Sequence, residues 1–181
     1  RPRTAAEIAD SVAGFSCIIR NYYINTPATI WGAEAEMTAE PVDGLLLNAA
    51  VGYHKFSSPD VDNRAINPRQ PEPFWTANIQ YTIEGAPLGG TITPRVDWSY
   101  QGSTAPSQRT TAWNQPGYSL VNARLTYELR DMGVSIAAGV TNLLDELHYD
   151  NFFILQDFGQ SNVQGQPAPP RQWYLRMEKR F

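Results

Sequence analysis

The stretch Arg171-Gln-Trp-Tyr-Leu-Arg-Met-Glu-Lys-Arg-Phe181 decides the fold of this chain. Its large apolar residues recur with a period of two, while polar residues occupy most of the alternate positions. This alternation predicts a β-strand with one apolar and one polar face. A soluble protein rarely ends on such a strand, because the free edge and the terminal ring invite aggregation. In a transmembrane β-barrel, by contrast, the strand belongs to the wall and its terminal ring joins an aromatic girdle.

The composition favours an all-β protein. Only 18% of the residues are charged and 12% are aromatic, and turn-forming residues punctuate the chain throughout. A net charge of −4 argues against a nucleic-acid binder. No run of about 18 apolar residues is present, which excludes a transmembrane helix but not a membrane barrel, whose strands are half polar.

The ends of the chain and its cysteine content bear on processing and on metal chemistry. The chain begins at Arg1 without a signal peptide, so we expect that a segment was removed or that a longer protein precedes it. The single Cys17 excludes an internal disulfide framework and a cysteine-based metal site.

Alternating segments continue upstream of the terminal stretch. They cover residues 30–40, 45–55, 74–84, 91–101, 118–129 and 133–143, with a weaker segment near 12–23. Most run about 10 to 12 residues, which is long for a soluble strand and suits a tilted membrane-spanning one. We therefore predict an antiparallel meander of about eight transmembrane strands.

The connections between these segments alternate in length. Short turns at 41–44, 85–90 and 130–133 separate long connections at 56–73, 102–117 and 144–170. An outer-membrane barrel has short periplasmic turns and long extracellular loops, whereas a sandwich or propeller has no reason to alternate in this way. Because the last strand must end on the periplasmic side, all three long connections are predicted to face outward.

Two residues test this assignment. Pro94 is the only one of the fourteen prolines inside a predicted strand, and since it cannot donate to a sheet ladder, it predicts a bulge or a locally unpaired position. Lys179 lies on the nominal lipid face, where a lysine near the periplasmic interface can extend its ammonium group to water.

The polar faces carry the ionisable residues. They are Glu34, Glu36, His54, Arg95, Asp97, Arg124, Arg176 and Glu178. The simplest interpretation is a barrel lumen in which opposite charges on adjacent strands pair. The alternative is that some of them contact a ligand or a gate.

No motif indicates an enzyme. The only histidines, His54 and His148, are not at metal-ligand spacing, and no phosphate loop, nucleophile elbow or zinc motif appears. We expect no metal and no cofactor. A barrel enzyme that uses His54 with a nearby aspartate stays open as a minor alternative.

Aromatic residues cluster toward the ends of the predicted strands. They are Trp31, Tyr53, Trp75, Trp98, Tyr100, Trp113, Trp173 and Phe181. We expect them to lie at the level of the lipid headgroups. Core packing between two sheets is the alternative.

Five motifs in order resemble the C-terminal part of TonB-dependent outer-membrane receptors. They are Trp31-Gly-Ala-Glu-Ala-Glu36 with Pro41-Val-Asp-Gly-Leu45 and Val51-Gly-Tyr53, then Pro73-Phe-Trp-Thr-Ala77, Tyr118-Ser-Leu-Val-Asn-Ala-Arg-Leu125, Val140-Thr-Asn-Leu-Leu-Asp-Glu146 with Tyr149, and Pro170 to Phe181. Each motif alone is weak, but five in the right order are specific. Asn142 and Asp145 suit a strand-to-loop transition, since their side chains can bond nearby backbone groups.

The resemblance implies an outer-membrane location and a role in transport. Receptors of this family are barrels of about 22 strands with an internal plug. Residues 1–181 would therefore be the C-terminal portion of such a barrel, without the plug domain and the TonB box. The implied function is TonB-dependent uptake of a scarce solute, above all a ferric siderophore, with the TonB–ExbB–ExbD system acting through the missing plug. A stand-alone eight-stranded outer-membrane barrel with a structural or adhesive role is the alternative.

The resemblance also assigns roles to individual residues. The terminal strand is similar to the signal that the barrel-assembly machinery recognises, with Trp173, Leu175, Met177 and Phe181 on its apolar side. Contacts to a ferric chelate would come from the long connections, where the aromatic candidates are Trp113, Tyr149, Phe152 and Phe153. The alternative for these four is a loop tip that rests on its neighbours.

Overall fold

A computed structural model describes residues 27, 29–57, 73–104, 114–154 and 163–180, with the backbone alone for residues 56–57, 153–154 and 163. The predicted segment near 12–23, Trp113 and Phe181 lie outside this part of the chain. None of the helices in the described ranges has the length and the apolar composition of a membrane span.

The described chain forms one antiparallel sheet and a separate hairpin. The strands are β1 (Thr29–Ala39), β2 (Leu45–Ser57), β3 (Phe74–Tyr81), β4 (Ile83–Ala86), β5 (Gly90–Gln101), β6 (Tyr118–Leu129), β7 (Val134–Thr141), β8 (Tyr149–Ile154), β9 (Val163–Pro167) and β10 (Gln172–Lys179). The sheet order is β1-β2-β3-β5-β6-β7-β10, with β4 beside β5, and β8 pairs with β9 alone. The predicted antiparallel meander is confirmed.

The predicted strand boundaries agree closely with the structure, with two differences. The segment 74–84 is divided into β3 and β4 at Thr82. The connection 144–170 was predicted to be a loop, but it contains the β8–β9 hairpin. That hairpin escaped prediction because its strands are short and β9 consists of Val163-Gln-Gly-Gln-Pro167, a turn-like composition.

The sheet is a single layer. Ala86, Val140 and Ala168 are the only apolar residues classed as buried in the described part of the chain. Among those residues, β1 and β10 each have a neighbour on one side only, so the wall does not close.

The short turns lie at one end of the sheet and the long connections at the other, as predicted. Each of the three short turns contains a glycine with positive φ: Gly44 in the first, Gly89 in the second and Gly133 after the 3-10 turn Arg130–Met132 in the third. Gly133 also lies close to the end of the last strand, because the Arg180 amide donates to its carbonyl oxygen at 2.8 Å. A side chain there would be strained and would press on the Arg180 backbone.

Pro94 lies where the ladder is interrupted, which confirms the prediction of a locally unpaired position. The β3–β5 pairing ends at Gln80 opposite Arg95 and resumes at Ile83 opposite Ile92. On its other side, Pro94 stays in register opposite Leu125. The missing N–H therefore costs no hydrogen bond in a continuous ladder.

Candidate functional site

One face of the sheet is apolar and exposed. In-register rows across the strands bring its residues together, for example Leu47, Ile79, Val96 and Ala123 on four successive strands. The most exposed members are on β10, where Trp173, Leu175 and Met177 are 72%, 76% and 69% exposed. No described element packs over this face. Since a soluble sheet buries its apolar face, this one is the surface that meets lipid.

Aromatic rings gather on this face near the long-connection end. Trp75 stacks on Tyr100 with ring centroids 4.0 Å apart and meets Trp98 edge-on at 5.9 Å. Trp31 lies beside Tyr53 at 5.4 Å. These rings do not lie between two sheets, so the core-packing alternative is wrong for them, and their position is that of an interfacial girdle.

The opposite face carries a row of polar side chains at one height. Thr38, Asn48, Asn78, Asp97 and Asn122 lie directly opposite one another on successive strands. The Thr38 hydroxyl donates to Asn48 Oδ1 at 2.8 Å, and Asn48 Nδ2 donates to Asn78 Oδ1 at 3.0 Å. This face is the polar interior of a barrel wall.

The ion pairs on the polar face run mainly along the strands. Arg95 holds Asp97 on its own strand, with Nη2 to Oδ1 at 2.6 Å, and Arg176 holds Glu178 at 3.4 Å. Arg130 and Glu84 form a pair between two elements, with 3.3 Å from Nη2 to Oε1. The prediction that opposite charges on adjacent strands pair was therefore largely wrong, because residues i and i+2 of a strand share a face and lie within reach of each other. Directly across from Arg95 is another cation, Arg124.

The long-connection end holds a hydrogen-bond network centred on Asn142. This residue is 6% exposed and has φ of 50°, so it turns the chain sharply out of β7. Its side chain accepts from the Glu146 amide at 2.8 Å and donates to the Glu146 carbonyl at 3.0 Å, while its own amide donates to Asn122 Oδ1 at 2.9 Å. The prediction that Asn142 serves the strand-to-loop transition is confirmed.

Asp145 and Arg171 connect the two ends of the 144–170 segment. The Arg171 amide donates to Asp145 Oδ1 at 2.9 Å, and Arg171 Nη1 donates to the Leu143 carbonyl at 3.2 Å. The start and the end of the segment are therefore bonded to each other at the edge of the sheet, and we call these contacts the base of the segment. This partnership could not be read from the sequence, where the residues of the first contact lie 26 positions apart.

A second cluster at this end involves His148, which is 7% exposed. Its ring stacks on Tyr118 with centroids 4.5 Å apart, and the Tyr118 hydroxyl donates to Gln101 Oε1 at 3.1 Å. His148 Nε2 also lies 3.9 Å from Asp150 Oδ1. Sequence reasoning placed His148 in a loop and found no role for it, and the stack holds the start of β8 against the end of the sheet.

Two of the four aromatic ligand candidates have described side chains, Tyr149 and Phe152. Both lie on β8 with ring centroids 5.5 Å apart. They lie over Gly165 of β9, where an added Cβ would be 2.6 Å from the Tyr149 ring. The hairpin thus presents two neighbouring rings at the long-connection end. The side chains of Trp113 and Phe153 lie outside the described part of the chain.

His54 lies on β2, and its ring packs against Phe74 with centroids 5.8 Å apart. Its Nε2 is enclosed without a hydrogen-bond partner. In the described part of the chain, no aspartate bonds His54 Nε2, and no three acidic, histidine or cysteine side chains gather at a possible metal site. The geometry gives the barrel-enzyme alternative no support.

Three residues of the proposed assembly signal, Trp173, Leu175 and Met177, lie on the exposed apolar face of β10, as predicted. Phe181 is outside the described residues. Recognition of this strand by the barrel-assembly machinery stays a prediction.

An exposed apolar face, a polar face and alternating connections define this chain as a segment of a membrane β-barrel wall. A family model for the TonB dependent receptor-like β-barrel matches residues 4–143. The chain belongs to this family, whose members are outer-membrane proteins, and it is therefore an outer-membrane protein.

Solved structures show the same fold. The ferric yersiniabactin uptake receptor of Yersinia pestis is 16% identical with a TM-score of 0.73, over 84% of this chain and 23% of that receptor. The ferripyoverdine receptor of Pseudomonas aeruginosa is 20% identical with a TM-score of 0.66, over 94% of this chain and 22% of that receptor. A chain of the FpvAI–pyocin S2 complex also matches, at 21% identity over 84% of this chain and 19% of that one, with a TM-score of 0.60. This chain thus spans less than a quarter of each of these receptors.

Proposed function

We propose that this chain is the C-terminal portion of a TonB-dependent receptor barrel whose plug and TonB box belong to the same longer protein. The support is its coverage of only 23% and 22% of the two receptors above. The strands β1 and β10 each have one described neighbour, and lipid tolerates no open sheet edge. A full-length barrel of about 22 strands would cover both edges.

The alternative is a stand-alone barrel with a structural or adhesive role. It draws support from the size of the described sheet, which is seven strands wide because β4 continues β3 along β5, close to the eight strands of the smallest outer-membrane barrels. Residues 1–181 refolded in detergent distinguish the two. A heat-modifiable, closed monomer would contradict the receptor-segment proposal, whereas an open or aggregating species supports it.

The receptor as a whole would take up a scarce solute, namely a ferric siderophore, with energy from the TonB–ExbB–ExbD system. The observation that carries this proposal is family membership together with ferric yersiniabactin and ferripyoverdine receptors among the structural neighbours. The β8–β9 hairpin supports it locally, since the Tyr149 and Phe152 rings offer rigid contact area at the end of the wall that faces the cell exterior.

Uptake in a gene deletion tests the proposal. The strain should lose uptake of at least one radiolabelled ferric chelate and recover it when the gene is restored. A panel of iron chelates and cobalamin serves as the substrate set. Unchanged uptake of every member would count against the transport role.

The hairpin is tested separately by the double substitution Tyr149→Ala and Phe152→Ala in the full-length protein. If the two rings contact the chelate, its Kd should rise by about tenfold or more, which is about 1.4 kcal/mol. Leu147→Ala is the matched control, because Leu147 is 68% exposed on the same connection and carries no ring. An equal Kd in the double variant and the control would reject the ring contact and leave the transport role standing.

A further inference from the structure

The three short turns share an exposed apolar residue. Val42, Leu88 and Met132 are 57%, 77% and 47% exposed. Turn residues in contact with water are usually polar, glycine or proline. The repeated choice of an apolar side chain therefore indicates that something other than water meets this end of the wall.

Leu88 is unusual in its backbone conformation as well as in its exposure. Its φ of 59° and ψ of 26° lie in the left-handed region, which favours glycine or asparagine. A leucine there is both strained and exposed, so neither the backbone nor the packing of the described fold accounts for it. Strain that folding does not need is typical of a contact residue.

The turn that holds Leu88 folds toward the lipid face. The Tyr127 hydroxyl donates to the Pro87 carbonyl oxygen. Tyr127 lies in the apolar row between Ile92 and Ile136. Its ring also covers Gly90, where an added Cβ would lie 2.5 Å from it. The turn is thereby fastened to a lipid-facing side chain.

The turn that holds Met132 is fastened in the same way. Lys179 lies on the apolar face opposite Val134, and its ammonium group donates to the Met132 carbonyl oxygen. The sequence predicted that this lysine would extend its ammonium group to water, and in the structure the group reaches the backbone of the turn. Both turns are therefore fastened to the short-turn end of the apolar face.

We propose that Leu88 and Met132 enter the phospholipid leaflet on the short-turn side and anchor the wall at a set depth in the membrane. The occupant is lipid rather than a protein because both turns are fastened to a face that already meets lipid, by a tyrosine and a lysine that are typical of the interface. Val42 is not included, since its turn is held by Glu40 and Leu45 and not by a side chain of the apolar face.

Depth-dependent quenching tests the anchor in the full-length protein, reconstituted in vesicles of phospholipids brominated on their acyl chains. The single substitutions Leu88→Cys and Met132→Cys, in a background where the other cysteines are serine, each carry an environment-sensitive fluorophore. Leu175→Cys on the apolar face is the quenched reference, and Asp131→Cys in the same turn as Met132 is the unquenched one. Labels at 88 and 132 should be quenched well above the Asp131 level, and less than the label at 175, which lies deeper in the membrane.

Quenching at 88 and 132 no greater than at Asp131 would overturn the proposal. A blue shift that appears only after periplasmic extract is added would also overturn it and would indicate a protein partner. A second measurement leaves both turns native: photoreactive phospholipids are incorporated, and the adducts are mapped by mass spectrometry. Adducts on the peptides of both turns support the anchor, and adducts confined to strand peptides reject it.

Discussion

The ring of Tyr174 lies across Gly139, its direct partner in the β7–β10 pair. A Cβ at Gly139 would be 2.5 Å from the tyrosine ring, so only glycine leaves room for it. At the edge of the described sheet, the Tyr174 ring of β10 thus packs over a glycine of β7, on the face opposite Trp173 and Leu175.

This contact predicts the effect of Gly139→Val. The new side chain displaces the Tyr174 ring and should lower the free energy of unfolding by about 1 to 3 kcal/mol. Urea titration of the full-length protein in phospholipid vesicles measures the change. Ala137→Val is the matched control, since Ala137 lies on the same strand and face but opposite the flexible Arg176. Equal losses in the two variants would remove the special role of the Tyr174 contact.

The Asn142 network predicts that Asn142→Ala opens the base of the 144–170 segment. The substitution removes two bonds to Glu146 and places a methyl group at a φ of 50°. The expected loss is about 1 to 3 kcal/mol, together with faster proteolysis within the segment. Asn142→Gly should lose less, since glycine accepts this φ.

Limited proteolysis and thermal unfolding measure both variants. Asn151→Ala is the control, because the Asn151 side chain bonds only the adjacent Phe152 amide among the contacts of the described chain. If Asn142→Gly were as sensitive as Asn142→Ala, backbone strain would have no part in the effect.

Substitution of Asp97 and substitution of Arg95 should lower the free energy of unfolding by different amounts. Asp97→Ala leaves Arg95 directly opposite Arg124 without its partner, whereas Arg95→Ala also removes that like-charge contact. Asp97→Ala should therefore be the more destabilising, by about 0.5 to 1 kcal/mol after allowance for partial exposure. Adding Arg124→Ala should recover part of the loss.

Urea titrations at low and high salt test this order, because screening weakens the repulsion between the two arginines. The opposite order, or a difference that salt leaves unchanged, would mean that the Arg95–Arg124 repulsion is not the cause.

The position of Lys179 allows a prediction of how the energetic cost of a charge on the lipid face depends on its depth in the membrane. Lys179→Met should change the unfolding free energy by no more than about 1 kcal/mol, because an interfacial lysine reaches polar surroundings. Leu175→Lys, on the same face near the middle of β10, should cost about 2 to 4 kcal/mol. Unfolding in phospholipid vesicles compares them, and similar costs would show that residues 175 and 179 do not differ in depth.

Many strands of the wall could be predicted because a strand with one apolar and one polar face has apolar and polar residues that alternate in the sequence. β6, from Tyr118 to Leu129, coincides with the predicted segment, and Pro94 correctly marked an interruption. The β8–β9 hairpin was missed because its strands are short and do not alternate apolar and polar residues. The partners of the charged residues were also missed, since register alone does not say whether Arg95 turns along its strand or across it.

The sequence by itself determined the strands, their faces, the ends at which long and short connections lie, and the membrane class of the protein. These follow from local periodicity and composition, which need no knowledge of distant residues. Only the tertiary structure decided that Arg171 meets Asp145, that His148 stacks on Tyr118, that Tyr174 covers Gly139 and that the turns of Leu88 and Met132 fasten to the lipid face. Such contacts join residues far apart in the chain, and they depend on the side-chain directions that strand pairing imposes.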